Sequence, residues 1–210
     1  GFEWSVLAWS ERFWADPIAS QSPFAAHVPA LATSDGTTSE VRFVSIGRDL
    51  DVNGYSRLSL WNAGETVSPP ETVAVATTQL GSFAFSSAFT SARRWVTRTE
   101  QPPWETFQVR SYYADPGGPW QTMDRLGYDE LNCAITPVAD TTALIVYTSL
   151  YQTWWTTSLG RSWAPLQSFP RKAYAPRFVP RSGGERWLVS SDWANVHVDS
   201  WQGGAWSPVA

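Results

Sequence analysis

Residues 156–163 read Thr-Thr-Ser-Leu-Gly-Arg-Ser-Trp, and within this stretch a Gly precedes a Trp by three positions. The same spacing occurs at Gly117/Trp120, Gly160/Trp163 and Gly203/Trp206, so that successive Trp residues are 43 positions apart, from 120 to 163 and from 163 to 206. A repeat of about 40–50 residues is typical of propeller blades, each of which buries its faces only against its neighbours. The spacing therefore predicts a series of similar structural units.

Two earlier positions extend the series at a longer step of 53 residues: Val67, which Gly64 precedes by three positions, and Trp14. Each complete unit holds four short runs typical of strands, separated by Gly, Pro, Asp and Ser clusters that favour turns. The last two units show the pattern most clearly, at 133–138, 143–150, 152–158 and 162–168, then at 175–179, 186–190, 195–200 and 205–209. No segment has a sustained 3.6-residue apolar period, so no long helix is expected.

Short strands at a fixed repeat predict an all-β protein, a β-propeller of four-stranded antiparallel blades. A β-sandwich is the alternative, but it does not require a Gly-x-x-Trp at constant spacing. We expect four full blades and, at the N-terminus, the outer half of another. The prediction is a single propeller domain over 1–210, or a large part of one, with the half-blade at 1–20 and blades at about 27–70, 84–124, 131–169 and 173–210.

The half-blade at 1–20 lacks its two inner strands, and an open sheet edge is adhesive. Three arrangements would account for it: a preceding segment of a longer chain, a protein partner that supplies the strands, or a four-bladed ring with the hairpin as an extra flap. The sequence leaves all three open. An upstream segment or a protein partner that completes the half-blade is the expectation.

Two further segments carry the Gly in a similar setting: residues 113–120 read Tyr-Ala-Asp-Pro-Gly-Gly-Pro-Trp, and residues 60–67 read Leu-Trp-Asn-Ala-Gly-Glu-Thr-Val. With residues 156–163 they resemble the Asp-box, or bacterial neuraminidase repeat, Ser/Thr-x-Asp-x-Gly-x-Thr-Trp, of sialidase-like propellers. Every copy is degenerate. The resemblance implies a structural hairpin away from the ligand face. The residues assigned to it are Asn62, Gly64, Asp115, Gly117, Trp120, Ser158, Gly160, Trp163, Gly203 and Trp206.

The chemistry of this hairpin explains the residue types. A tight turn between the third and fourth strands needs Gly where φ is positive. An Asp, Asn or Ser two positions earlier can bond the backbone of the turn. The Trp that follows is expected to pack between strands or blades, where a buried indole contributes about 150–250 Å² of contact.

Composition limits the function classes. The net charge is −4 and only 16% of residues are charged, with no clustered basic segment, so nucleic-acid binding is not expected. No apolar run approaches the ~20 residues of a membrane-spanning helix. The single cysteine, Cys133, lies in an apolar stretch and is expected to be a buried core residue. His27 and His197 are far apart, and neither a metal site nor a cofactor is expected.

The resemblance to sialidases implies a glycosidase site with three Arg residues that hold a carboxylate, a Tyr nucleophile assisted by a Glu, and an Asp acid/base. Arg177 lies in a predicted inner strand and could face a central channel, with Tyr174 nearby. The family's Arg-Ile-Pro motif is absent, and the other predicted inner strands contain no Arg. No catalytic residue is assigned, and a sialidase-like glycoside hydrolase fragment is kept as the alternative function.

Aromatic side chains are the remaining candidates for ligand contact. Trp104 and Trp193 occupy predicted turns, whereas Trp155 and Tyr113 each follow another aromatic residue in a strand and so point to the opposite face from it. With Arg177 they form the candidate ligand-binding set. The predicted function is a non-catalytic propeller that serves in binding or assembly, with a glycan as one ligand class. We expect a secreted, periplasmic or cell-surface location, although no signal peptide is visible.

Overall fold

The structure is a computed structural model that describes residues 41–49, 55–63, 71–76, 81–101, 106–127, 130–180 and 185–209. Within these ranges all regular elements are β-strands. The chain divides into two compact units, residues 1–80 and residues 81–210.

The first unit contains one described sheet of three antiparallel strands, β1 (Val41–Asp49), β2 (Tyr55–Ala63) and β3 (Glu71–Ala76), with β2 in the centre. The first two strands coincide with runs recognisable in the sequence. Asn62 lies in β2, opposite Arg42 of β1. The predicted half-blade at 1–20 and Gly64 lie outside the described residues.

Strand β3 differs from the sequence prediction, which ended this blade at about residue 70. Residues 71–76 read Glu-Thr-Val-Ala-Val-Ala and directly follow two prolines. Their strand conformation depends on pairing with β2, for example Ala74 with Leu58 and Val75 with Arg57. The Gly-x-x-Trp spacing gives no sign of this pairing, because in this unit it points to Val67, which precedes the strand.

The second unit contains three further antiparallel sheets, each formed by strands in chain order. The second sheet consists of β4 (Gly81–Phe89), β5 (Arg94–Gln101), β6 (Gln108–Ala114) and β7 (Gln121–Thr122). The third consists of β8 (Glu130–Ala139), β9 (Thr142–Ser149), β10 (Thr153–Leu159), β11 (Ser162–Trp163) and β12 (Gln167–Ser168). The fourth consists of β13 (Tyr174–Pro180), β14 (Arg186–Ser191), β15 (Val196–Gln202) and β16 (Ala205–Pro208).

The outer position of the third sheet is shared by two short strands, since β11 and β12 both pair with β10. The single strand predicted at 162–168 is therefore interrupted at residues 164–166. The register shifts there by one residue, between Trp163, which pairs with Ser158, and Gln167, which pairs with Trp155. The third sheet therefore has four strand positions, the last of which is shared by β11 and β12.

The turn before the last strand contains a glycine with positive φ in each sheet of the second unit. The φ values are 69° at Gly117, 65° at Gly160 and 60° at Gly203. This is the left-handed region that glycine adopts without a steric cost. Positive φ, expected at these glycines from their spacing, is present.

Two hydrophobic cores hold the three sheets together. One lies between the second and third sheets and includes Trp95, Tyr113, Ile145 and Cys133. The other lies between the third and fourth sheets and includes Leu188. The prediction of a buried Cys133 is confirmed, because its side chain is fully buried.

Two of the three tryptophans that follow these glycines pack toward the cores. Trp163 packs on the core between the second and third sheets, and its indole N–H donates to the carbonyl of Asp124 at 3.0 Å. Trp206 belongs to the other core, with the ring of Phe169 at 4.8 Å between centroids. Trp120 is half-buried beneath the guanidinium of Arg94, 5.0 Å from its ring centroid.

Two other residues of these hairpins make their own contacts. Asp115 accepts two hydrogen bonds from Arg93, at 2.7 and 3.3 Å. Ser158 accepts a hydrogen bond from the backbone N–H of Ala143 at 2.9 Å. Both contacts join the hairpin to the neighbouring turn of the same sheet.

Candidate functional site

The two ends of the second unit carry different residues. In an antiparallel meander successive turns alternate between the two ends of the sheet. Residues 115–118, 159–161 and 203–204 therefore lie at one end, which we call the glycine end. Residues 150–152, 169–174 and 191–195 lie at the other, which we call the aromatic end.

Trp193 is the most exposed large apolar residue described at the aromatic end, with 81% of its surface accessible. It lies in the turn between β14 and β15 and has a φ of 79°, a conformation that is unfavourable for a residue with a Cβ. The Ser191 hydroxyl accepts a hydrogen bond from the Trp193 N–H at 3.0 Å. One Asp192 carboxylate oxygen accepts from the N–H groups of Ala194 at 3.0 Å and Asn195 at 2.8 Å. The sequence of the turn thus fixes an exposed indole in one backbone conformation.

Asp192 also connects this turn to the following strand. Its second carboxylate oxygen lies 2.7 Å from Nε2 of His197 in β15. The hydrogen bond from His197, followed by those from the backbone of Asn195 and Ala194, holds the pKa of Asp192 well below its ordinary value. Asp192 is therefore a charged anchor at neutral pH, already occupied by the turn.

Tyr174 supports the Trp193 ring from the neighbouring strand. It is the first residue of β13 and pairs with Ser191. The two rings lie 4.8 Å apart between centroids with their planes inclined at 52°. A hydrogen bond from the Trp193 side chain, with a smaller contribution from Lys172, lowers the pKa of Tyr174. The indole and the phenol therefore form one aromatic surface.

A second turn at this end also has a serine that bonds the N–H of an aromatic residue two positions later. The Ser149 hydroxyl accepts hydrogen bonds from the N–H groups of Tyr151 at 3.2 Å and Gln152 at 3.0 Å. Tyr151 stands two positions after Ser149, as Trp193 stands two positions after Ser191, and its accessible fraction is 79%. The turns between the second and third strands of two neighbouring sheets each present an exposed aromatic ring.

Lys172, the only lysine of the chain, lies between these two turns. Its ammonium group donates to the carbonyl of Leu150 at 2.8 Å and lies 5.9 Å from the centroid of the Tyr174 ring. The neighbouring Ala173 is fixed on both sides of its peptide: its N–H donates to Thr153 and its carbonyl accepts from Thr148. The segment that carries Lys172 is therefore held against the third sheet.

The structure corrects two residues of the predicted ligand-binding set. Trp155 is only 5% exposed and packs edge to face against Trp206 in the core between the third and fourth sheets. Tyr113 is equally buried, and its hydroxyl donates to Gln121 and accepts from Arg161. Each ring lies on the strand face that packs against a neighbouring sheet of the second unit, so alternation along the strand does not expose it.

The other predicted contact residues have mixed positions. Trp193 lies at the aromatic end, as predicted for a residue of a turn. Arg177 is exposed in β13 and donates to the carbonyl of Pro176 at 2.8 Å; no contact with the Trp193 ring is found within the described part of the chain. Trp104 lies outside the described residues, so its role stays a prediction.

A buried ionic cluster, absent from the sequence predictions, lies on the face of the second sheet opposite its core with the third. Arg98 is 2% exposed and contacts Glu100 at 2.7 Å, and the Nε of Arg110 donates to the same carboxylate at 3.1 Å. Arg98 also donates to the hydroxyl of Tyr112 at 3.2 Å. Burial raises the pKa of Tyr112, which makes this phenol a poor nucleophile.

Within the described ranges, no group of three or more His, Cys, Asp or Glu side chains could hold a metal ion. Over the same residues, no helix has the length and apolar character that crossing a membrane requires.

The antiparallel four-stranded sheets and the comparison with solved structures show an all-β fold of the β-propeller type. A Hadza microbial sialidase is similar with a TM-score of 0.57 at 12% identity, over 90% of this chain and 47% of that one. Aleuria aurantia lectin, in a mutant form in complex with alpha-methyl-L-fucoside, has a TM-score of 0.52 at 13% identity, over 80% of this chain and 56% of the lectin. A Synechocystis apocarotenoid oxygenase, in a mutant form, has a TM-score of 0.57 at 10% identity, over 89% of this chain and 50% of the oxygenase.

These likenesses concern the fold alone, because the identities are low and the matched proteins differ in activity. The chain spans about half of the sialidase, 47% of its length. No protein-family model matches the chain, and no curated protein sequence is significantly similar to it.

Proposed function

We propose that the protein is a non-catalytic carbohydrate-binding propeller and that sugars bind at the aromatic end. The observation that carries the proposal is the geometry of Trp193: an indole with 81% of its surface exposed, fixed by Ser191 and Asp192 and supported by Tyr174. A rigid exposed indole has an apolar face for the C–H groups of a sugar ring and loses little conformational freedom on binding. The likeness to a lectin bound to a fucoside supports the same ligand class.

The alternative is a sialidase-like glycoside hydrolase, which is suggested by the structural similarity to a sialidase. A sialidase-like site needs an Asp as acid/base and a Glu that assists the Tyr nucleophile, and both carboxyl groups must be free to face the sugar. At the aromatic end the described carboxylate nearest Trp193 is that of Asp192, which the turn and His197 already occupy. Turnover of a fluorogenic sialoside that disappears in Arg177→Ala would establish the hydrolase instead.

The test of binding is a glycan array followed by calorimetry on the complete 210-residue chain. Trp193→Ala removes the ring without removing the Asp192 cap of the turn. We expect its affinity for the bound glycan to fall at least about tenfold, which corresponds to ~1.4 kcal/mol. Leu159→Ala is the matched control, since Leu159 is also an exposed apolar residue but lies at the glycine end. Equal affinities of the wild type and Trp193→Ala would refute the proposal.

We also propose that the chain contributes four blades and an outer half-blade, that its hairpins are degenerate Asp-boxes, and that it works outside the cytoplasm. The repeated glycines with positive φ and the Trp packing support the hairpin assignment. An experimental structure of the whole chain would show how many blades it contributes. Fractionation of the native cells, with an antibody against the protein, tests the location; recovery in the cytoplasm alone would contradict it.

A further inference from the structure

We propose that the aromatic end binds a linear oligosaccharide across two neighbouring sheets, with Trp193 and Tyr151 contacting different sugar units of the same chain. This inference rests on the proposed function and makes it more specific. It names an extended glycan, rather than a single terminal sugar, as the ligand.

The first observation is that the turns after the second strands of two neighbouring sheets both present an exposed aromatic ring. Each follows the second strand of its sheet, and each has a serine whose hydroxyl accepts the N–H of the aromatic residue two positions later. The distances are 3.2 Å from the Tyr151 nitrogen to Ser149 and 3.0 Å from the Trp193 nitrogen to Ser191. The two rings therefore stand at the same end of adjacent sheets, on backbone held in place before any ligand arrives.

The second observation is that the space between the two turns is occupied by a fixed polar bridge. Lys172 bonds the carbonyl of Leu150 in one turn and lies over the ring of Tyr174, which contacts Trp193 of the other. Arg171, next to it, pairs with the buried carboxylate of Asp199 in β15. The surface from Tyr151 to Trp193 is thus continuous and includes a cation that can bond sugar hydroxyl oxygens.

The alternation of rings and polar groups favours a sugar chain over an apolar protein segment. Beside Tyr151 lies the amide of Gln152, which bonds the hydroxyl of Ser168 at 2.8 Å in an exposed position. A sugar unit offers both an apolar face for a ring and hydroxyl groups for such amides and ammonium groups. An aliphatic helix or strand would shield the Lys172 ammonium group and the Gln152 amide from water without offering them further hydrogen bonds, which is costly for polar groups.

The experiment compares a series of chain lengths of the glycan that the array identifies, from the monosaccharide to the hexasaccharide, by calorimetry on the full chain. We expect the wild-type affinity to rise with length and then to level off. Tyr151→Ala should lose about tenfold in affinity for the longest chains and nothing for the monosaccharide. Trp193→Ala should lose affinity for every length, whereas Tyr151→Phe, which keeps the ring, should stay close to the wild type.

The outcomes separate this inference from the proposed function. If Trp193→Ala weakens binding while Tyr151→Ala leaves every chain length unchanged, the extended site is refuted and the carbohydrate-binding function stands. An affinity that does not grow with chain length would likewise refute the extended site and leave the carbohydrate-binding function standing. If neither substitution alters binding, both proposals fail. Since Tyr151 and Trp193 are both highly exposed, the thermal unfolding of the variants should match that of the wild type and thereby exclude misfolding.

Discussion

Replacement of Glu100 by Gln tests whether the ionic cluster of the second sheet is buried in the folded protein. Glu100 is 4% exposed and holds two guanidinium groups, that of Arg98 at 2.7 Å and that of Arg110 at 3.1 Å. Gln108 donates a further hydrogen bond to the same carboxylate at 3.2 Å. The substitution keeps the size of the side chain and removes its charge, so that two cations remain without their counter-ion.

The expected magnitude follows from this burial. Removing one partner of a buried ion pair leaves an uncompensated charge and lowers the free energy of unfolding by about 3–5 kcal/mol. For a domain of this size class each kcal/mol lowers the melting temperature by roughly 2–4 °C, so a total decrease of roughly 6–20 °C is expected. Asp115→Asn provides the matched comparison, because it breaks the ion pair with Arg93 although the Asp115 side chain is 50% exposed. An exposed pair contributes about 1 kcal/mol or less.

Urea denaturation followed by circular dichroism measures both variants, with thermal unfolding as the second method. A double variant, Arg98→Met with Glu100→Gln, should recover part of the lost stability because it removes the unpaired buried charge together with its partner. If Glu100→Gln loses no more stability than Asp115→Asn, the cluster is solvated in the native protein and the reasoning from burial is refuted.

Three other substitutions test the turns and the core. Gly160→Ala should cost about 1 kcal/mol of stability from backbone strain at a φ of 65°, since nothing lies near the added methyl group; Gly118→Ala, where φ is not positive, should be nearly neutral in the same denaturation assay. Leu188→Ala, at a fully buried position between the third and fourth sheets, should cost about 2–5 kcal/mol in urea unfolding. The Asp192 carboxylate should stay charged well below its ordinary pKa, so its contribution to the turn is present above about pH 4 and lost as the pH falls through the lowered pKa. A carbon-13 NMR titration measures this, and His197→Ala should move the pKa of Asp192 back toward its ordinary value.

The sequence predicts the sheets of the second unit well because their signals are local. The glycine turns, the hydroxyl and Pro clusters and the short apolar runs each act within a few residues of the strands they delimit. The strand Glu71–Ala76 was missed because it lacks such a signal. Its six residues include no aromatic residue, and the Gly-x-x-Trp spacing of this unit points to Val67, before the strand.

The burial of individual side chains was harder to predict than the strands themselves. Alternation along a strand tells which residues share a face, but not what covers that face. Charged residues at alternate positions of a strand normally mark its exposed face, and β5 has this pattern at Arg98 and Glu100. Both residues are nevertheless buried, and Arg110 of β6, which contacts Glu100, is largely buried. The prediction for Trp155 and Tyr113 fails in the same way, since each lies on a strand face that packs against a neighbouring sheet of the second unit.

Tyr151 shows why half of the candidate site was invisible in the sequence. The predicted strands at 143–150 and 152–158 left it as a single residue between two strands, with no turn chemistry to mark it. Trp193 stood out because it lies with Ser191 and Asp192, residues typical of turns, between the predicted strands 186–190 and 195–200. The hydrogen bonds show that both rings stand on fixed backbone, although the oxygen that corresponds to the Ser149 hydroxyl in the other turn is that of Asp192. An exposed ring in the turn after the second strand of a sheet is therefore the feature that should be sought in the remaining units. In this chain it is a better guide to ligand contact than tryptophan content, because described Trp residues such as Trp95, Trp155 and Trp163 are packed into the cores.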